Sequence, residues 1–192
     1  MRSLIIRPIQ AGFTLVELLI VVIIIAILAA IIVPQFSTAT IDAQEAALDA
    51  NLSAMRSAIE LYRVQHNGMY PGRNVSSGGT GCTAPGAVGT GAVDTAQAFT
   101  DQMLMASNVN GQTCSVGDPA TFRFGPYFRK GIPPESITSS AAIAIQATGA
   151  PLAPAAATGG WIYDTRSGQI VMNSNAPDSK NTAAKPSLYS NH

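Results

Sequence analysis

Residues 18–33 run sixteen positions without one polar side chain, and from Phe13 onward only Thr14 and Glu17 interrupt the apolar run. As a helix at about 1.5 Å per residue, residues 13–33 are roughly 31 Å long, which matches the hydrocarbon core of a bilayer. Hydropathy alone fits an ordinary signal anchor. It does not account for Glu17, because a carboxylate inside an apolar span is costly on insertion scales, though less so near a helix end. A residue of that cost calls for a partner, and Glu17 is the first candidate functional residue.

The run Gly12-Phe13-Thr14-Leu15-Val16-Glu17-Leu18-Leu19-Ile20-Val21-Val22, followed by Ala29-Ala30-Ile31-Ile32-Val33-Pro34-Gln35-Phe36, resembles the amino terminus of type IV pilins and type II secretion pseudopilins. The resemblance implies that a prepilin peptidase cuts between Gly12 and Phe13 and methylates the new amine of Phe13. It also implies that Glu17 compensates the Phe13 ammonium of a neighbouring subunit during filament assembly. Two opposite charges in a low-dielectric setting are each expensive alone and far less so together. One departure stands out: Gln10 and Ala11 occupy positions where a basic residue often precedes the glycine, and Arg2 and Arg7 supply charge further upstream.

Charge and topology agree with an exported head. Lys and Arg balance Asp and Glu at eleven each, and loss of the leader with Arg2 and Arg7 leaves nine basic against eleven acidic side chains. That slightly acidic balance argues against a nucleic-acid surface. No Lys or Arg follows the span until Arg56, so by the positive-inside rule the leader is cytoplasmic and the rest faces outward. The competing reading is a secretory signal cut near Ser37-Thr38-Ala39. The apolar block is long for that, and Pro34 sits well before the site.

Pro34 is expected to kink or locally break the helix. The periodicity then resumes: Ile41, Leu48, Leu52, Met55, Ile59 and Tyr62 trace one apolar stripe, read as core packing. Asn67-Gly68 is the expected stop. The stretch from Ile59 through Asn67-Gly68-Met69-Tyr70-Pro71 resembles the helix end and turn of the major pseudopilin of type II secretion. Tyr70 reads as a packing residue of that turn, and His66 as a solvated helix-end residue rather than a metal ligand.

Residues 72–93, rich in Gly, Ser, Thr and Ala, read as a surface loop. Asp94 or Thr95 caps a helix expected to reach Ser107, with Ala96, Phe99, Met103 and Ala106 on one face and Asn108-Val109-Asn110-Gly111 closing it. Cys82 and Cys114 are the only cysteines. In an oxidising compartment the pair reads as a disulfide, with two free thiols as the alternative. Residues 122–134 mix aromatic and basic side chains, but their prolines and glycines read as a rigid connector. Residues 142–148 form a strand. Gly160-Trp161-Ile162-Tyr163, the turn Asp164-Thr165-Arg166-Ser167-Gly168, and Gln169-Ile170-Val171-Met172 form the best hairpin. Beyond Asn173 the sequence is polar and expected to be poorly ordered. Asp164, Asp178, Asn173 and Asn175 are too spread to specify a calcium site.

The expected fold is α+β, with a long helix whose first half spans the membrane and a small antiparallel sheet packed on its second half. The expected domains are a leader at 1–12, a helix at 13–66 with its membrane span at 13–33, and a head at 67–192. No catalytic motif, metal or cofactor is expected. The expected function is that of a filament subunit, a type II secretion major pseudopilin acting in protein secretion. The alternatives are a type IV pilin proper, in adhesion, motility or DNA uptake, and a membrane-tethered binding module. The implied partners are further copies of the chain, a prepilin peptidase, an inner-membrane assembly platform and minor pilins. The implied location is the inner membrane, single-pass, with the head outside.

Overall fold

The computed structural model describes residues 13–155 and 158–192. Helix α1, Leu15–Gln65, is 51 residues long, and its backbone is helical through position 34. The kink expected at Pro34 rests on a side chain outside the described set. At the far end Asn67 (φ 56°) and Gly68 (φ 82°) turn left-handed, and the Gly68 N–H donates to the Arg63 carbonyl at 2.9 Å. That bond satisfies one of the carbonyls a helix end leaves bare.

By contact the chain divides into two compact units, one ending at Ile41 and the other running from Asp42 to His192. In the second unit the helical stripe does what its spacing requires. Leu48, Leu52, Met55, Ile59 and Tyr62 are buried against Phe99, Met103, Trp161, Tyr163, Ile170 and Met172. Ile41, the first residue of the expected stripe, is 37% exposed and falls in the other unit.

Helix α2 is Ala96–Leu104, with Thr95 as its cap: the Thr95 Oγ1 accepts from the Ala98 N–H at 3.2 Å. It stops short of the expected Ser107. Met105 is extended, and Ala106–Ser107 form strand β1, antiparallel to β2, Thr113–Cys114. The Asn108 Oδ1 accepts from the Asn110 and Gln112 N–H groups, so the segment read as a helix stop is a hairpin turn that pairs its flanks.

The second sheet has the order β3-β4-β5: Ile143–Gln146, Trp161–Asp164 and Ile170–Met172. The expected hairpin is β4–β5, antiparallel, with Trp161 opposite Met172 and Tyr163 opposite Ile170. The first pair departs from expectation. β3 runs parallel to β4, with Ile143 opposite Trp161 and Gln146 opposite Asp164, so the sheet is mixed rather than antiparallel. The long connection from Gln146 to Trp161 returns the chain to the end it started from, which is the condition for a parallel pair.

The segment after Asn173 is ordered, contrary to its composition. The Glu45 carboxylate is buried on α1 and accepts both the Ser179 N–H and the Ser179 hydroxyl at 2.7 Å. One α-helical turn further on, the Asp49 Oδ1 lies 2.7 Å from the His192 Nδ1, and the Arg56 guanidinium donates to the His192 carbonyl at 2.9 Å. A short 3₁₀ helix, Tyr189–Asn191, ends the segment, and Tyr189 packs against the core. Polar side chains projecting from α1 thus hold a tail that has no apolar run of its own. Glu45→Gln, which turns one acceptor into a donor facing Ser179, should cost about 1–3 kcal/mol locally. Amides of residues 174–192 should then exchange faster in deuterium, while those of β4 and β5 keep their protection. Unchanged exchange in the tail would refute this attachment.

Candidate functional site

The start of α1 is built around Thr14. Its Oγ1 accepts the Glu17 N–H at 3.2 Å, and its carbonyl accepts the Leu18 N–H at 3.2 Å. The spacing Thr14-x-x-Glu17 is that of a capping box, in which a hydroxyl satisfies a bare amide of the first turn. Glu17 also lies where a helix favours negative charge, beside the positive end of its dipole. Local helix chemistry therefore explains part of Glu17, through a spacing already present in the sequence. Among the described residues the Glu17 carboxylate makes no ion pair, and Phe13 beside it is 79% exposed. Gly12 and the whole leader lie outside the described residues.

From Leu15 to Val33 the large apolar side chains are 43–81% exposed, all round the helix. A helix apolar on every face needs an apolar surrounding. α1 is the one helix among the described residues long and apolar enough to cross a membrane, as a single-pass inner-membrane topology requires.

In the head, Cys82 and Cys114 form a disulfide that closes a loop of sequence separation 32 around α2 and β1. A side chain at Gly86 would come within 2.8 Å of the Cys114 sulfur and 3.1 Å of the Cys82 sulfur, so only glycine lets the loop lie across the bridge. The buried Asp101 of α2 fastens the same loop, accepting the Ser76 hydroxyl and the Thr90 and Gly91 N–H groups.

His66 corrects the expectation of a solvated residue. It is buried, stacked on Tyr62 at 3.6 Å between ring centroids, with its Nδ1 2.7 Å from the Tyr62 carbonyl and its Nε2 3.0 Å from the Ser107 hydroxyl. β1, which follows α2, brings Ser107 over the helix end, a long-range contact that periodicity could not reveal. Asp164 is equally occupied. Its Oδ1 accepts the Arg166 and Ser167 N–H groups and its Oδ2 those of Thr148 and Gly149. Burial pushes its carboxyl up, and these amides outweigh burial and hold it below the usual range. Asp164 and Asp178 each serve turns of their own, and among the described residues no group of three His, Cys, Asp or Glu is placed to hold a metal.

Comparison with known proteins follows the same segment. The prokaryotic N-terminal methylation motif matches residues 7–33. The chain is 50% identical over 58 residues to the type IV narrow pilus major component PilA5 of Thermus thermophilus, covering 30% of this chain and 50% of that protein. It is 32% identical over 106 residues to a fimbrial protein of Neisseria meningitidis serogroup A, covering 55% and 62%. Against the type II secretion system core protein G of Pseudomonas aeruginosa it is 37% identical over 62 residues, covering 32% and 43%. The chain thus spans about half the length of the curated relatives it matches. At the level of family, the match is to the type IV pilins and pseudopilins, with their N-terminal methylation motif. No solved structure is a significant match.

Two measurements check the head. Breaking the bridge with Cys114→Ser should remove roughly 3–4 kcal/mol in the chain-entropy account, read as a lower Tm of the full chain in detergent. An unchanged Tm would mean the bridge adds nothing to stability. His66 sets a pH dependence. Burial lowers its ring below the ordinary histidine value, against the opposite pull of the Tyr62 and Asn108 backbone groups. The unfolded chain therefore binds a proton that the folded chain resists. The contribution is complete above about pH 6.5 and is lost as the pH falls below that value. Tm should drop as the pH falls below about 6.5, and His66→Gln should flatten that drop. The same slope in the variant would assign it to other groups.

Proposed function

We propose that this chain is a structural subunit of a type IV pilus. It is held in the inner membrane by the apolar part of α1 and then assembled through that helix into a filament. The single observation that carries the reading is the coincidence of the methylation motif with a helix start whose apolar side chains are all exposed. Such a surface is stable in lipid and equally stable against the same surface of other copies. Transfer between the two environments is what filament growth requires.

In this reading a prepilin peptidase cuts between Gly12 and Phe13 and methylates Phe13. The Phe13 ammonium then pairs with Glu17 of a neighbouring copy in the apolar bundle. An inner-membrane assembly platform and minor pilins complete the machine, and the chain acts as a building element rather than an enzyme. Domains follow the same division: a leader at 1–12, a membrane span at 13–33 and a head carried on the rest of the helix.

A pilus is favoured over a secretion pseudopilus by the extent of likeness. The fimbrial relative aligns over 55% of the chain, well past α1, whereas the secretion protein aligns over 32%. The Asn67-Gly68 turn that resembles the major pseudopilin works here as a general left-handed helix stop, so it does not separate the two machines. Deleting the gene in its host should remove surface filaments and leave the secreted proteins unchanged. Loss of secreted proteins with filaments intact would favour the pseudopilin instead.

Glu17 tests assembly directly. Glu17→Val makes the span more apolar, so insertion and cleavage should continue. The Phe13 ammonium would enter the bundle unpaired, at about 3–5 kcal/mol for one broken buried pair. Sheared filaments should disappear while mature monomer stays in the membrane fraction, and Glu17→Asp should assemble partially. Normal filaments from Glu17→Val would mean the carboxylate is dispensable.

A further inference from the structure

A cleft of about 310 Å³ opens beside the end of α1, and three of its lining residues are arginines: Arg63, Arg73 and Arg166. No carboxylate lines it. The three come from different places in the chain: the last turn of α1, the turn after it, and the turn joining β4 to β5. Close backbone contacts fix these segments against one another. A side chain at Gly168 would overlap the Tyr70 ring at 2.2 Å, and one at Gly72 would meet the Thr165 methyl group at 3.0 Å. The turns that carry Arg73 and Arg166 are therefore tightly packed, through Gly72 against Thr165 and through Gly168 against Tyr70.

The acidic groups nearby orient these arginines without filling the cleft. Glu60 takes one nitrogen of Arg63 at 3.1 Å, and the guanidinium lies 5.0 Å over the Tyr70 ring. Asp94 takes one nitrogen of Arg73 at 3.3 Å and is itself held by the Thr165 hydroxyl. Asp164, below Arg166, spends both oxygens on backbone N–H groups. Arg166 is exposed and makes no ion pair among the described residues. A guanidinium has five donor hydrogens in a planar fork, so one carboxylate contact leaves most of them available.

We propose that this cleft binds a compact polyvalent oxyanion, of the phosphate class. Three forks around one hollow suit a group with several oxygens on one centre, and a continuous acidic chain would instead call for cations in a row. The site is independent of the filament reading, since none of its residues belongs to the apolar part of α1.

The test uses the full chain in uncharged detergent, with inorganic pyrophosphate as probe in titration calorimetry. The parent chain should bind saturably. Arg166→Gln should weaken binding by about tenfold or more, and Arg166→Lys, which keeps charge but not the fork, by less. Lys130→Gln, an exposed cation outside the cleft, should leave it within about twofold, as surface charges act weakly through salt. A single-stranded oligonucleotide as second probe identifies the source. Equal loss for both probes with Arg166→Gln means phosphate is accepted within a chain, and loss for pyrophosphate alone means a terminal group. Absence of saturable binding, or equal weakening by Arg166→Gln and Lys130→Gln with Tm unchanged, overturns the proposal.

Discussion

Buried backbone must be hydrogen-bonded, and the head has very little regular sheet with which to do it. Its longest strands are four residues, so most of its amides lie in turns and loops. Buried polar side chains take over that task. Asp101 gathers the loop before α2, Gln102 joins the Gly72 N–H to the Asn74 and Gly111 carbonyls, and Glu135 accepts from the Ile137, Thr138 and Ser140 amides. Asp164 and Glu45 do the same for the β4–β5 turn and the tail. Each is a carboxylate or amide whose desolvation is offset by several donors at once.

This use of acidic residues also explains why bulk charge is a poor guide to the surface. Glu45, Asp101, Glu135, Asp164 and Asp178 are buried, whereas Arg123, Arg129, Lys130, Arg166, Lys180 and Lys185 are exposed. A chain balanced in composition therefore presents more cations than anions to solvent over its head. The Arg63–Arg73–Arg166 cleft is the place where this imbalance is gathered into one shape.

The parts legible in sequence were those with a repeating local pattern. The apolar run of α1, the stripe from Leu48 to Tyr62 and the β4–β5 hairpin each follow from side-chain period and turn chemistry. Strand direction has no such local mark, so the parallel pairing of β3 with β4 stayed hidden. The depth of His66 was hidden too, because Ser107 and Phe124, distant in sequence, cover it. Composition is a poor guide to the tail, since what holds it is a set of polar partners on α1 rather than apolar residues of its own. At the candidate assembly site the Glu17 anomaly is plain in the sequence, and so is its capping partner Thr14, three residues away.

The disulfide has a further consequence through what it leaves out. Its covalent ring encloses α2 and β1 and closes at β2, while everything after Asn173 is tethered by carboxylates, an imidazole and a guanidinium. The two peripheral segments of the head therefore answer to different chemistries. A reductant acts on the first and leaves the partners of the second in place. One small head thus carries a covalent fastening on one side and a purely polar one on the other.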